Sequence, residues 1–220
     1  MATRMTRAER SEQTRTELIV AARTVFLRRG FHGASLDEIS AEAGYTTGAV
    51  YSRFGGKDDL FLAVLEAAYA RIREAEKTLS LLDVPADEGV RRLVRFTWQY
   101  YLENPEFLTL LNSENLHRAE HLRRSREVRA MNSPLIETLA QVLRRGHREG
   151  LFRAGVDPLQ LYISIAALSY FYLGNNHTLS AVFGRDLTTA AARDERLAHM
   201  VDVIMGYLRP AVDARRGRPR

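Results

Sequence analysis

The chain has 220 residues, of which 45% are apolar and 27% charged, a composition typical of a folded globular protein of one or two domains. It contains no cysteine, which excludes disulfides, thiolate nucleophiles and thiolate zinc sites. No stretch approaches the roughly 20 apolar residues that a transmembrane helix requires, and the N-terminus M-A-T-R-M-T-R-A-E-R lacks the apolar run of a secretory signal. We therefore expect a cytoplasmic protein without membrane contact.

Positive charge is concentrated at the two ends of the chain. The net charge is +5, and residues 1–30 hold seven arginines against three glutamates. The last six residues, R-R-G-R-P-R, contain the Arg-Gly-Arg-Pro core of an AT-hook, an extended segment that can enter a narrow minor groove. A disordered, solubilising tail over 211–220 is the alternative. This distribution favours a polyanionic partner, and we expect residues 1–10 to form a disordered basic arm.

Three helical patterns follow one another after this arm. Ser35, with Glu38 three residues later, forms a capping box that opens the second helix, and Thr47 can cap the third. Glycines at the end of each pattern predict where the helices stop. Two short helices around a glycine-containing turn make a helix-turn-helix. The predicted helices are 11–29, 36–43 and 47–54, and the predicted core between the last two is Ile39, Ala43, Val50 and Phe54.

Helical periodicity continues through the rest of the chain, without useful strand alternation or repeats. Lys57 opens a long amphipathic helix. Ser133 and Pro134 form a good pair for the N-cap and the first turn of a later helix. Further apolar helices are predicted over 158–183 and 190–209. The predicted fold is all-α, with a three-helix head that contains the helix-turn-helix and a second, larger helical domain.

The helix-turn-helix region carries a family resemblance. Residues 14–65, with S-L-D-E-I-S-A-E-A-G-Y-T-T-G-A-V-Y-S-R-F-G-G-K-D-D-L-F at their centre, resemble the DNA-binding head of the TetR family of bacterial transcriptional repressors. The resemblance implies a homodimer whose C-terminal domain binds a small effector and then releases the operator. The domains expected on this basis are a disordered arm (1–10), the DNA-binding domain (11–56), the effector-binding and dimerisation domain (57–210) and a disordered tail (211–220).

Candidate DNA contacts cluster around the third predicted helix. Thr46 and Thr47 would point hydroxyls and free backbone N–H groups at a phosphate or base edge, because helix N-termini attract anions. By resemblance, Tyr51 and Lys57 hold phosphate, which fixes register more than it specifies sequence. Arg53 can contact either a guanine edge or a phosphate. The predicted DNA-binding residues are Ser35, Thr46, Thr47, Gly48, Ala49, Tyr51, Arg53 and Lys57, of which Gly48 and Ala49 are small enough for close approach to the groove.

Aromatic residues are concentrated in the C-terminal portion. Such residues can line a ligand cavity or simply fill the core, and both readings are open from composition. The family resemblance favours a pocket, and residues 151–187 look like a TetR subgroup that regulates breakdown of nitrogen heterocycles or aromatics. The predicted effector contacts are Trp98, Tyr101, Phe107, Leu111, Asn115 and Tyr170, with Asn175 and His177 as polar partners. No cofactor is predicted.

The last two predicted helices are apolar on more than one face, as in L-Q-L-Y-I-S-I-A-A-L-S-Y-F-Y-L. A monomer has difficulty covering that much apolar surface, so we expect the two helices to pair across a two-fold axis as a four-helix bundle. A dimer of this kind presents two heads. Its partner is then a palindromic double-stranded operator with half-sites about one DNA turn or slightly more apart.

One short string has the pattern of an enzyme. His117, Glu120 and His121 match the H-x-x-E-H arrangement of zinc peptidases, in which two histidines one helical turn apart bind the metal and glutamate activates water. A metal-dependent hydrolase is therefore an alternative function, and a regulatory metal on the same face is another. Charged, arginine-filled surroundings favour a solvated helix face. An activator with the same fold remains a third possibility.

Overall fold

A computed structural model describes residues 5–210, except for the side chain of Ser133. Within that range the secondary structure is entirely helical, which confirms the predicted all-α fold. A single 3₁₀ turn, Leu122–Arg124, lies between the sixth and seventh helices. The helices are α1 (Arg7–Gly33), α2 (Leu36–Ala43), α3 (Thr47–Phe54), α4 (Lys57–Lys77), α5 (Ala86–Glu103), α6 (Pro105–Leu116), α7 (Arg126–Arg148), α8 (Pro158–Phe183) and α9 (Ala190–Leu208).

The first helix begins earlier than the sequence pattern suggested. Thr6 is its N-cap, and Thr6 and Glu9 form a reciprocal capping box that satisfies two free N–H groups of the first turn. The expectation of a disordered arm over 1–10 is therefore wrong for residues 7–10, which are helical. Residues 1–4 and the tail 211–220, with its AT-hook motif, lie outside the described residues. At Gly30 a positive φ of 69° kinks the helix before its last turn.

The helix-turn-helix agrees with the sequence prediction at both helices. Ser35 caps α2 by accepting the backbone N–H of Glu38 at 3.1 Å, and Gly44 ends α2 in the left-handed conformation. Ile39 and Val50 have no exposed surface, and Phe54 is also buried, so three of the four predicted core positions are confirmed. Ala43 is only half-buried. Burial of these side chains between α1, α2 and α3 fixes the angle at which α3 is presented.

The predicted break at Ser133 and Pro134 is wrong, because α7 runs without interruption from Arg126 to Arg148. Its start lies about two turns earlier, where the Ser125 hydroxyl accepts the backbone N–H of Val128 at 3.1 Å. A proline within a helix costs one backbone hydrogen bond. The apolar face of α7, with Leu135, Leu139, Val142 and Leu143 buried, offsets that loss.

The described chain divides into two compact units. Unit 1 consists of residues 5–71 and 106–131, and unit 2 of residues 72–105 and 132–210. This division differs from the boundary predicted between residues 56 and 57. The reason is packing: Leu60 and Phe61 of α4 are fully buried in unit 1, where the Phe61 ring lies 5.0 Å from the Phe26 ring of α1.

Unit 2 has a core formed by α5, α7, α8 and α9. Leu93, Ile165 and Met200 are completely buried there. Gly146 allows α7 to approach the following loop, since a Cβ at that position would lie 2.1 Å from the ring of Phe152. Across the described residues of both units, no helix is long and apolar enough to span a membrane.

Candidate nucleic-acid interface

The N-terminus of α3 offers free polar groups. Thr46, rather than Thr47 as predicted, occupies the N-cap position, and its exposed side chain makes no capping hydrogen bond. The Thr47 hydroxyl donates instead to the carboxylate of Asp37 at 2.7 Å, which ties α3 to α2. Because the first N–H groups of a helix have no partner within it, this end of α3 can bind an anion or a base acceptor.

The following residues of α3 present both a small and a large side chain to solvent. A Cβ at Gly48 would meet only the Thr46 hydroxyl, at 3.8 Å, so no internal packing requires glycine there. Tyr51 is 57% exposed, which is unusual for an aromatic residue on a short helix with a well-packed inner face. Ala49 lies between them, half-buried. The outer face of α3 is thus shaped for an external partner.

A cleft with three arginines lies beside α3. Its walls are Arg7, Arg10, Ser11 and Thr14 of α1 and Ser52 and Arg53 of α3. Arg53 donates to the carbonyl of Ala49 and to the Ser52 hydroxyl, at 3.4 and 3.2 Å, and its buried Nε has no hydrogen-bond partner among the described residues. Guanidinium groups and hydroxyls around one concavity are suited to phosphate oxygens. We name Arg7, Arg10 and Arg53 the arginine cleft.

The sequence reasoning missed the two α1 members of this cleft. It assigned Arg7 and Arg10 to a disordered arm, although the string T-R-A-E contains the signal that would have placed them. Thr6 followed by Glu9 is a capping box, and extending α1 to that cap brings both arginines onto a rigid helix.

Lys57 has internal partners. Its ammonium donates to the carbonyls of Phe31 and Ala34 at 3.0 and 3.1 Å and lies 4.7 Å from the centre of the Phe31 ring. An ammonium has three donors, so one remains for a phosphate. Lys57 therefore hydrogen-bonds to carbonyl groups at the C-terminal end of α1. Its contact with phosphate stays a prediction.

The predicted effector residues are divided between the two units. Phe107, Leu111 and Asn115 belong to unit 1, whereas Trp98, Tyr101, Tyr170, Asn175 and His177 belong to unit 2. Asn115 and Asn175 each donate an amide hydrogen to a carbonyl of their own helix, Leu111 at 2.9 Å and Phe171 at 2.8 Å. Trp98 is a core residue, with its ring 5.6 Å from that of Tyr172, and His177 is exposed.

A buried charged group in unit 2 was not anticipated. Arg73 and Glu76 are each only 7% exposed, and their side chains form an ion pair at 2.6 Å. Arg73 also donates to the Tyr162 hydroxyl at 2.8 Å, while its Nε has no hydrogen-bond partner among the described residues. Burial raises the pKa of Glu76 to about 7, against the opposing effect of Arg73. In the sequence the pair, three residues apart, looks like an ordinary exposed ion pair.

The enzyme-like string is not assembled as a metal site. His121 is buried, and its Nδ1 lies 2.7 Å from the carboxylate of Glu114, while Glu120 is exposed. Among residues 5–210, no group of three or more histidine, aspartate or glutamate side chains is arranged to hold a metal ion. The hydrolase pattern of His117, Glu120 and His121 is therefore not formed.

Large apolar side chains are exposed along α8 and α9. Phe171 is 58% exposed and Val182 75% exposed. Others with at least two-fifths of their surface exposed are Leu159, Ile163, Phe183, Val203 and Tyr207. Exposed apolar surface on this scale usually marks a protein interface.

A capped helix-turn-helix with an open α3 N-terminus, an exposed tyrosine and an arginine cleft defines a DNA-binding protein, and a separate helical unit is typical of a transcriptional regulator. Comparison with known proteins agrees. The family model described as bacterial regulatory proteins of the tetR family matches residues 18–64, and the one described as the tetracyclin repressor-like C-terminal domain matches residues 87–204. The chain belongs to the TetR family of DNA-binding transcriptional regulators.

Two curated relatives differ in how much of the chain they cover. The HTH-type transcriptional repressor NicS of Pseudomonas putida is 37% identical over 211 residues, which is 95% of this chain and 100% of the relative. The HTH-type transcriptional activator FasR of Mycolicibacterium smegmatis is 43% identical over 55 residues, only 25% of each chain.

Solved structures share the fold. A regulatory protein of the tetR family from Rhodococcus RHA1 matches with a TM-score of 0.68 at 18% identity, over 91% of this chain and 99% of that one. A TetR-family regulator from Pectobacterium atrosepticum matches with a TM-score of 0.59 at 26% identity, over 98% of this chain and 100% of that one.

Proposed function

We propose that this regulator is a cytoplasmic repressor that a small molecule releases from a palindromic operator. The full-length similarity to a protein named as a repressor supports repression over activation, because the similarity to a named activator is limited to a quarter of the chain. The observation that carries DNA binding is the arginine cleft beside the open N-terminus of α3.

The contacts divide into those that read bases and those that hold the backbone. The Thr46 hydroxyl and the first N–H groups of α3 are the candidates for base edges or for the nearest phosphate, and Gly48 permits close approach. Arg7 and Arg10 project from a different helix and are therefore assigned to phosphates, with the Tyr51 hydroxyl. Arg53 lies between these groups and can serve either role.

Dimerisation through α8 and α9 is supported by their exposed apolar side chains, of which Phe171 and Val182 are the most informative. Removing apolar surface from water favours association by about 25 cal/mol for each Å², and the entropy cost of association opposes this gain. A two-fold dimer duplicates the head, so the operator has two half-sites in inverted orientation.

For the effector, we propose an aromatic molecule that contacts unit 2. The support is its aromatic composition, including Tyr101 and Tyr170, and the buried Arg73, whose unpaired Nε could donate to an acceptor atom. An effector weakens operator binding only if it prefers the DNA-incompetent conformation, and a tenfold release requires about 1.4 kcal/mol of such preference.

The test is a fluorescence-anisotropy titration of the purified protein onto DNA that flanks its own gene, with excess competitor DNA at about 0.15 M salt, where purely electrostatic binding is weak. We expect saturable binding with two protomers, or a multiple of two, per site. Absence of any preferred sequence, including after selection from random DNA, would refute operator binding. Aromatic compounds are then screened for release of the bound DNA.

A further inference from the structure

Two imidazoles from distant parts of the sequence converge in unit 1. His32 lies in the last turn of α1, and His117 follows α6 directly. Their Nε2 atoms are 3.0 Å apart, and their ring centres are 4.8 Å apart. His32 is exposed and His117 half-buried, so solutes can reach the pair from solvent. This pair shares only His117 with the H-x-x-E-H string.

The environment of His117 sets the direction of its free lone pair. Its Nδ1 lies 2.7 Å from the carbonyl oxygen of Ser113. Because a carbonyl oxygen only accepts, Nδ1 is the donor, and in the neutral ring Nε2 keeps a lone pair that faces His32. Metal-binding histidines are oriented in this way, with the second ring nitrogen donating to a carbonyl or carboxylate. The ring of Phe31, centred 4.9 Å from that of His117, packs against it edge to face.

The separation of the two nitrogens distinguishes between coordination geometries. Two nitrogens about 2.0 to 2.1 Å from one metal ion lie roughly 2.9 Å apart at a right angle, and roughly 3.4 Å apart at a tetrahedral angle. The observed 3.0 Å is the length of a hydrogen bond between the two rings and is also close to the right-angled separation, so the rings need little change in separation to hold one ion. Right-angled ligand pairs occur in octahedral and tetragonal sites and not in tetrahedral ones. Cu²⁺ and Ni²⁺ prefer tetragonal sites, and Cu²⁺ binds most tightly in the usual order of divalent ions.

We propose that His32 and His117 form a binding site for a tetragonal divalent transition-metal ion, with Cu²⁺ the tightest binder and water in the remaining positions. Water is needed because no third histidine, aspartate or glutamate joins the pair among residues 5–210. The ion links His32 in the last turn of α1, three residues before the Ser35 N-cap of α2, to the turn that follows α6. It binds the folded arrangement selectively and therefore raises the unfolding temperature.

The experiment uses full-length protein without an affinity tag, titrated with Cu²⁺, Ni²⁺ and Zn²⁺ by calorimetry, with electron paramagnetic resonance of the Cu²⁺ complex. We expect one Cu²⁺ per protomer with hyperfine coupling to two imidazole nitrogens, and weaker binding of Zn²⁺. His32→Gln and His117→Gln should each lower Cu²⁺ affinity at least about tenfold and remove the two-nitrogen signal.

His177→Gln and His199→Gln are the matched controls, because both residues are exposed histidines of unit 2. They should keep the affinity and spectrum of the parent protein. His32 is also exposed, so its replacement leaves the fold intact, which circular dichroism verifies. Unchanged Cu²⁺ binding in His32→Gln overturns the proposal, as does tighter binding of Zn²⁺ than of Cu²⁺. Absence of saturable Cu²⁺ binding would show that the two rings share only a hydrogen bond, which also overturns it.

Discussion

Both units bury a glutamate, but in different surroundings. In unit 1, Glu114 is 2% exposed and accepts from His121 Nδ1 at 2.7 Å and from the backbone N–H of Leu122 at 2.9 Å. In unit 2, Glu76 Oε2 lies 2.6 Å from Arg73 Nη1, but the contact is not directed as a hydrogen bond, and neither atom has another hydrogen-bond partner among the described residues. The comparison teaches that an opposite charge alone does not compensate desolvation, because directed hydrogen bonds must replace those lost from water.

The largest effect is expected where the satisfied glutamate is removed. Glu114→Ala leaves the buried His121 imidazole and the backbone N–H of the half-buried Leu122 without their acceptor. We expect a loss of about 3 to 5 kcal/mol in the free energy of unfolding, measured by urea denaturation. Glu120→Ala, at an exposed position six residues along, should stay within about 0.5 kcal/mol of the parent protein. Equal stability of the two variants would contradict a structural role for Glu114.

Glu76 should make stability depend on pH with the opposite sign to most carboxylates. Its pKa is raised from 4.5 to about 7 on folding, so between these values the folded state holds a proton that the unfolded state has lost. The contribution of Glu76 to the free energy of unfolding is therefore fully present below about pH 4.5 and is lost as the pH rises through 7.

Glu76→Gln isolates this contribution, because glutamine imitates the protonated side chain. We expect the variant to be more stable than the parent protein by about 2 to 3 kcal/mol at pH 8, with the difference vanishing near pH 4.5. Thermal unfolding across that pH range measures it. A difference that does not change with pH would show that Glu76 has an ordinary pKa.

Surface charge offers a second contrast between the units, since both have an arginine-lined cleft. Replacing Arg7 and Arg10 together by alanine should weaken binding to every operator variant and lower the salt dependence of the affinity by about two phosphate contacts. Arg144 and Arg148 line a cleft on unit 2. Replacing both by alanine is the control, because it removes the same amount of charge. Equal effects of the two double variants would mean that only net charge matters.

The smallest effect is expected from one hydroxyl. Tyr51→Phe removes the proposed phosphate contact but keeps the exposed ring, so operator affinity should fall by about 0.5 to 1.5 kcal/mol, equally for all sequences. The unfolding temperature should not change, because the side chain is mostly exposed. A change in base preference, measured with a panel of half-site variants, would reassign Tyr51 to sequence reading.

Local signals explain which parts of the fold were predictable. The ends of α2 and α3 follow from Ser35, Gly44 and Gly55, because caps depend on neighbours within four residues. The start of α1 has an equally local signal in Thr6 and Glu9, although the arginines around it suggested a disordered arm. The continuation of α7 through Pro134 depends on the core beneath it, and no local pattern contains that information.

The functional residues show the same limit. Tyr51 and the N-terminus of α3 were predicted as DNA contacts because the motif is contiguous, whereas the arginine cleft combines two helices. The approach of His32 to His117 joins residues 85 apart, and the burial of Arg73 with Glu76 depends on Tyr162 from a helix far along the chain. Such sites require the tertiary structure, since spacing in the sequence shows neither partner.

The hydrogen bonds of Lys57 have a practical consequence for chemical labelling. Lys57 and Lys77 are the only lysines in the sequence, and the other basic residues are arginines and histidines. The Lys57 ammonium donates to the carbonyls of Phe31 and Ala34, whereas Lys77 is exposed and pairs only with the exposed Glu74 among the described residues. We expect Lys57 to react more slowly than Lys77 with acylating reagents, because its two internal hydrogen bonds must break first. Mass spectrometry of partially acylated protein therefore measures two acylation rates, one for each lysine, and the rate at Lys57 should be the lower. Fast modification of Lys57 would report opening of the DNA-binding head, without any label having to be introduced.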